Sequence, residues 1–185
     1  MVTRQTVATI EGVRLRLRLI EPDDAAYVYG LRTDPAYNIH LSAVQGTAAD
    51  QRRWIESYKA REAELHELYY VIERRDNVPC GLVRLYDITD ESFTWGSWIL
   101  DRNKPPKAAL ESAMLIYRVG LCQLDIPKAA FEVRRDNDHT IAFHRRFGAT
   151  QTDETSVDLF FEYTKPQFMA AQPGFMAILE GERQE

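Results

Sequence analysis

Apolar and polar residues alternate along VRLRLRLIEP, residues 13–22, where Val13, Leu15, Leu17 and Leu19 interleave with arginines. That period of two predicts a strand with one wet face, closed by Pro22. PDDAAYVYGLRTD (22–34) opens with acids suited to a helix N-terminus, and TAADQRRWIESYKAREAE (47–64) predicts a second helix from Thr47. Between them, PAYNIHLSAVQG (35–46) mixes aromatic and polar residues without a period, which predicts a loop of the kind that lines sites. ELYYVIER (67–74), CGLVRLYDI (80–88) and SFTWGSWIL (92–100) predict three strands in an antiparallel meander, divided by the turns RRDNVP and TDE. An apolar stretch, AALESAMLIYRVGLCQL (108–124), predicts a helix of roughly four turns. KAAFEVRR (128–135) then reads as a strand, and VDLFFEYTK (157–165) as the last one. The predicted class is α+β, a mixed, mainly antiparallel twisted sheet flanked by helices. One domain is expected over 1–168, with 169–185 as a loose or helical C-terminal tail.

The 185 residues are 45% hydrophobic and 28% charged, with a net charge of −5. Such a chain can bury one proper core and is too apolar for disorder. Negative net charge without a long basic run argues against a nucleic-acid partner. No apolar leader pattern and no run of about 18 apolar residues is visible, so no membrane association is expected and the location is expected to be cytoplasmic. Cys80 and Cys122 lack a partner motif, which predicts two buried thiols and no metal.

RRDNDHTIAFHRRFGA, residues 134–149, combines a polar opening, a helical apolar pattern and a glycine stop. With Asn137 as cap and Gly148 as terminator, Thr140, Ile141, Phe143, His144 and Phe147 share one broad face. His144 therefore points toward the fold, either as a histidine satisfied by a backbone partner or as a reactive group. Another unusual feature is RNKPPKAALES, which puts Arg102, Lys104 and Lys107 where a helix starts. Cations are disfavoured there unless an anion such as a phosphate or pyrophosphate docks. The alternative is a solvated loop in which Pro105 and Pro106 only start the helix.

Taken together, the order of elements over roughly 13–165, the basic turn before the long helix and the Asn-led helix ending in glycine resemble the GCN5-related N-acetyltransferases (GNAT). The resemblance implies the acyl-CoA N-acyltransferase fold and acetyl-CoA as cosubstrate. That family's turn carries Gln or Arg, two residues, Gly, one residue, then Gly or Ala; Asn103, Pro106 and Ala108 occupy those positions here, and Ala108 alone fits. Proline at 106 removes an N–H donor that a phosphate would use. The resemblance implies that the pyrophosphate meets Asn103, Lys104, Lys107, Ala108 and Ala109, and that SWIL (97–100), with Ile99 and Leu100, pairs with pantetheine. The family's later motif corresponds to Asn137, His144, Arg146 and Gly148, followed by Ala149, and implies cofactor contacts for Asn137 and Arg146. His144 stands where the family usually has a tyrosine near the CoA sulfur, which implies that it protonates the departing thiolate. An imidazole, ordinarily near 6.5, releases a proton at neutral pH more readily than a phenol near 10.

Acetyl transfer needs a neutral amine beside a thioester, an oxyanion donor and a route for two protons. His40, Tyr86, Asp87 and Glu91 are candidates for the base. Together His40, Tyr86 and Trp95 are the expected acceptor contacts, and strand alternation puts Trp95 and Trp98 on opposite faces, one of them in the core. YYVIE, GLVRLYDI and FTWGSWIL also resemble a subgroup that acetylates amino sugars carried on nucleotides, so the expected acceptor is a small-molecule amine or a nucleotide-linked amino sugar. A homodimer is compatible with this. Two other readings stay open, an acetyltransferase resembling those that modify ribosomal-protein N-termini and a non-catalytic CoA-binding sensor.

Overall fold

The computed structural model describes residues 2–181; positions 182–185 of the expected tail lie outside the described residues. Two short elements that carry no clear pattern come first, helix α1 (Arg4–Val7) and strand β1 (Thr9–Glu11), followed by β2 (Leu15–Leu19). The wet face of β2 is an ion-pair face, since Arg16 Nε and Arg18 Nε each donate to Glu73 at 2.8 Å. A 3-10 turn at Pro22–Asp24 leads into α2 (Ala25–Thr33). After the 35–46 loop comes α3 (Ala48–Ala63), fixed at its start by a capping box in which Thr47 and Asp50 exchange hydrogen bonds.

The meander forms as expected from β3 (Leu68–Arg74), β4 (Pro79–Tyr86) and β5 (Thr94–Leu100). Next, α4 (Ala108–Tyr117) continues as a π-helical segment over Arg118–Gln123. The rest is β6 (Lys128–Arg134), α5 (Asp138–Phe147), β7 (Thr150–Glu154), β8 (Asp158–Thr164) and α6 (Lys165–Gly181). β7 escapes the hydrophobic pattern because TQTDE is exposed at every position. It is held as an edge by β8 alone.

Two sheets result. The order β1-β2-β3-β4-β5 makes one antiparallel sheet and β6-β8-β7 makes the other. They meet at a parallel bridge between Phe93 and Ala129, where Phe93 N donates to Lys128 O at 3.2 Å and Ala130 N to Phe93 O at 2.9 Å. Gly120 belongs to this joint, because a Cβ there would lie 2.2 Å from the Phe93 ring. Beyond the joint β5 and β6 share no ladder among the described residues. A split opens between them.

Both faces of the larger sheet are covered. On one side Leu17, Tyr70, Val83 and Trp95 pack with Met114 and Tyr117 of α4, Phe147 of α5 and Phe168 and Leu179 of α6. On the other side Val28 of α2 and Ile55 and Tyr58 of α3 cover Tyr69, Val71, Leu82 and Ile99. A strand covered on both faces need not alternate, which is why β3 is buried at six successive positions. α6 runs across position 169, where the sequence places the start of the tail, and buries Phe168 and Leu179. Cys80 is buried as expected, whereas Cys122 is only half-buried. Among the described residues, no helix is long and apolar enough to cross a membrane.

Candidate active site

The split is shaped by a bulge in β5. Leu82 pairs with Ile99 and Arg84 with Gly96, so Ser97 and Trp98 together oppose Val83. Ser97 takes a left-handed φ of 47°. A bulge shifts the strand's side-chain phase and leaves its extra residue out of the ladder. Trp95 and Trp98, three apart and expected on opposite faces, therefore turn to the same side, with ring centroids 5.2 Å apart. This corrects the alternation argument. Trp98 Nε1 donates to Ser112 Oγ at 3.1 Å, which ties the bulge to α4.

A cavity of about 620 Å³ fills the split. Strand alternation gives it two sides. On β6, Phe131 and Val133 are buried toward the α4–α6 core, while Glu132 and Arg134 are exposed on the opposite face. The core side of the cavity carries Trp95, Trp98, Phe131 and His144, with Asn137 and Thr140 at the start of α5. The other side carries Tyr37, His40 and Ser42 of the 35–46 loop with Tyr86, Glu132 and Arg134. That loop is anchored from beneath, where the buried Arg32 donates to Ser42 O at 3.2 Å and Ser42 Oγ at 2.9 Å.

The helix that delivers His144 forms as its sequence predicts. Asn137 Oδ1 accepts from Thr140 N at 3.3 Å, and Gly148 ends α5 with φ 111° while its N–H reaches the His144 and Arg145 carbonyls. The His144 side chain is 4% exposed, and its Nδ1 is buried without a hydrogen-bond partner. Aromatic rings surround it, Phe131 at 4.5 Å and Trp95 at 5.4 Å between centroids. This burial pushes the imidazole down to about 4. The ring is therefore uncharged at neutral pH, which corrects the expectation based on its ordinary value near 6.5. Nor is it the satisfied core histidine of the alternative reading, since Nδ1 has no backbone partner.

The β5–α4 turn has a different character. Buried Asp101 organises it by accepting from Tyr27 OH at 2.8 Å and Asn103 N at 2.7 Å. Lys107 adopts a left-handed φ of 64° directly before α4. Glu111, the acid in the first turn of α4, points inward, and its Oε1 accepts from the backbone N–H groups of Val13, Arg14 and Leu15 at 2.5, 2.9 and 3.1 Å. Exposed Arg102, Lys104 and Lys107 are left beside the positive helix end.

Of the residues singled out from sequence, His144, Asn137, Ile99, Leu100, His40, Tyr86 and Trp95 come together around the cavity. Asn103, Lys104, Lys107, Ala108 and Ala109 do not line it; Asn103 lines a separate cavity of about 470 Å³ with Tyr27, Tyr37 and Asp101. Arg146 is exposed and outside both cavities, as are Asp87 and Glu91. Sequence reasoning missed Tyr37, Ser42, Glu132 and Arg134 as wall residues. The alternation in KAAFEVRR carried a signal for the last two, because they interleave with the apolar Phe131 and Val133. Among the described residues, no three His, Cys, Asp or Glu side chains converge to hold a metal ion.

Residues 14–150 match the family described as Acetyltransferase (GNAT) domain. Among solved structures, apo FdhC, a nucleotide-linked sugar GNAT, is 34% identical over 92% of this chain and 98% of its own, with a TM-score of 0.86. A point mutant of the spermidine N-acetyltransferase SpeG from Vibrio cholerae is 16% identical over 87% of this chain and 99% of its own, with a TM-score of 0.71. A GCN5-related N-acetyltransferase from Brucella melitensis is 14% identical over 92% and 85%, with a TM-score of 0.74. These two share the fold. No curated protein sequence matches the chain.

Proposed function

Because the chain belongs to the GNAT acetyltransferase family, we propose that it moves an acetyl group from acetyl-CoA to a primary amine on a nucleotide-linked sugar. The observation that carries the acceptor class is the 34% identity to a nucleotide-linked sugar GNAT, extending over nearly the whole of both chains. The cavity is consistent with it. Its core side is aromatic and enclosed, while its other side offers tyrosines and an arginine suited to a polar, anionic group and carboxylates suited to an ammonium.

Bound acetyl-CoA supplies an activated thioester carbonyl. The turn at 103–109 and the start of α4 suit its pyrophosphate, with Lys104 and Lys107 as cations. Asn137 borders the cavity in the split, though its Oδ1 already caps α5. At the bulge, Ser97 and Trp98 stand out of the β4 ladder. A backbone N–H there is a candidate donor to the thioester oxygen, the kind of contact whose loss lowers rates by about 10²–10³-fold. His144, uncharged and unpartnered at Nδ1, takes a proton from the attacking nitrogen and hands it to the sulfur. An imidazolium with a value near 4 is a stronger acid than a thiol, ordinarily near 8.5, so the second transfer runs downhill.

The test is turnover. The full chain is incubated with acetyl-CoA and, in separate reactions, UDP- and dTDP-linked amino sugars, spermidine and a short peptide with a free N-terminus, and both thiol release and acetylated product are measured. Higher kcat/KM for a nucleotide-linked amino sugar is expected. Faster acetylation of spermidine or the peptide overturns the acceptor assignment.

A further inference from the structure

On the acceptor side of the cavity stand five groups that can carry charge or a proton: His40, Tyr86, Glu132, Arg134 and Asp158. Four are engaged. His40 Nδ1 lies 3.6 Å from Asp136 Oδ1, and Arg134 Nε lies 3.8 Å from Asp158 Oδ1. The Arg84 guanidinium covers the Tyr86 ring at 4.4 Å. The Glu132 side chain makes no ion pair and no hydrogen bond among the described residues. Its charge nevertheless reaches across the split, since the Tyr86 phenol is pushed up first by burial and then by Glu132. Asp153 of β7 and Glu162 of β8 border the same sheet face, and Glu162 is neutralised by Lys128 at 2.6 Å.

Asp153 lies outside this cavity, so a protonated primary amine entering it meets one lining carboxylate that no cation has claimed. We infer that Glu132 receives the acceptor's ammonium group and is the base that makes it nucleophilic. The inference rests on the acetyl-transfer reading above. The ammonium gives one proton to the Glu132 carboxylate, and the freed lone pair forms the C–N bond with the thioester carbon. The C–S bond breaks with its electron pair going to sulfur. The nitrogen's second proton reaches that sulfur through His144, and Glu132 returns its own to water from its exposed position. One amide, one thiol and one released proton balance each acetyl group transferred. The two proton tasks thus fall on opposite sides of the split.

The experiment compares wild type with Glu132→Gln and Glu132→Asp, using the UDP- or dTDP-linked amino sugar that wild type turns over best. At pH 7, kcat/KM for the acceptor should fall about 10²-fold in Glu132→Gln while the KM for acetyl-CoA stays within about twofold. The deficit should shrink as pH rises toward the amine's own range, because a neutral amine needs no base, and Glu132→Asp should recover part of the rate. Parent activity in folded Glu132→Gln overturns the assignment, as does a deficit equal at every pH. If wild type acetylates only spermidine, the sugar reading fails while the Glu132 test is run unchanged with spermidine.

Discussion

The core side of the split is a wall of rings, with Trp95, Phe131 and His144 packed at 4.5–5.9 Å between centroids and each at most 5% exposed. The other side is a loop and a strand face, with His40 Nδ1 3.6 Å from Asp136 Oδ1 and an Arg134–Asp158 ion pair at 3.8 Å, all among exposed or half-exposed groups. Burial explains what each can do. An aromatic wall strips water from His144 and depresses its proton affinity, which makes a good proton donor once loaded. An exposed wall leaves its carboxylates solvated, which suits the capture of a cation from water. The difference also predicts where substitutions register, as proton delivery to sulfur and stability on one side and as acceptor kcat/KM on the other.

The largest effect should come from the ring wall. His144→Phe should lower the single-turnover rate by about 10²–10⁴-fold with acetyl-CoA affinity within a few-fold, and His144→Tyr should restore part of it. A parent rate in folded His144→Phe would break the comparison at its centre. Stability offers the next contrast. Because His144 is held at about 4 in the folded state against an ordinary 6.5, only the unfolded chain binds the proton in that interval. Its contribution is complete above pH 6.5 and is lost as pH falls toward 4, by about 3 kcal/mol. Urea titrations across this range should show a shallower acid loss for His144→Phe than for wild type.

Smaller effects separate the cosubstrate from the acceptor. Replacing Lys104 and Lys107 with glutamate should weaken CoA binding by calorimetry more than about tenfold and make the remainder less salt-sensitive, with acceptor KM little changed. Arg32→Lys keeps the buried charge but removes the Nη2 that donates to both Ser42 O and Ser42 Oγ. It should raise acceptor KM a few-fold and leave the KM for acetyl-CoA alone. A change in acetyl-CoA KM instead would show that the loop serves both substrates.

Much of this architecture is legible in local periodicity. VRLRLRLIEP, the β3–β5 meander, the apolar helix and the Asn137–Gly148 helix all form where their patterns put them, because period and capping are properties of neighbouring residues. The basic turn before α4 and the aromatic content of the 35–46 loop are visible for the same reason. β7 was not legible, since an edge strand with no buried face carries no hydrophobic signal and exists only because β8 lends it hydrogen bonds.

What tertiary structure alone decided lies in the split. No local pattern announces that Ser97 will take a left-handed φ and swing Trp98 to the side of Trp95; the β4 register imposes it. Nor does an isolated helix reveal that His144 will lose its charge, because desolvation comes from Trp95 and Phe131, on strands brought in from elsewhere in the chain. Glu132 reads as one of several polar residues of β6 until Lys128 is seen to pair with Glu162, Arg134 with Asp158 and His40 to lie beside Asp136. The sequence by itself determined which segments become strands and helices and which residue types are at hand. Packing decided which of them face one another without water, and that sets their charge and their chemistry.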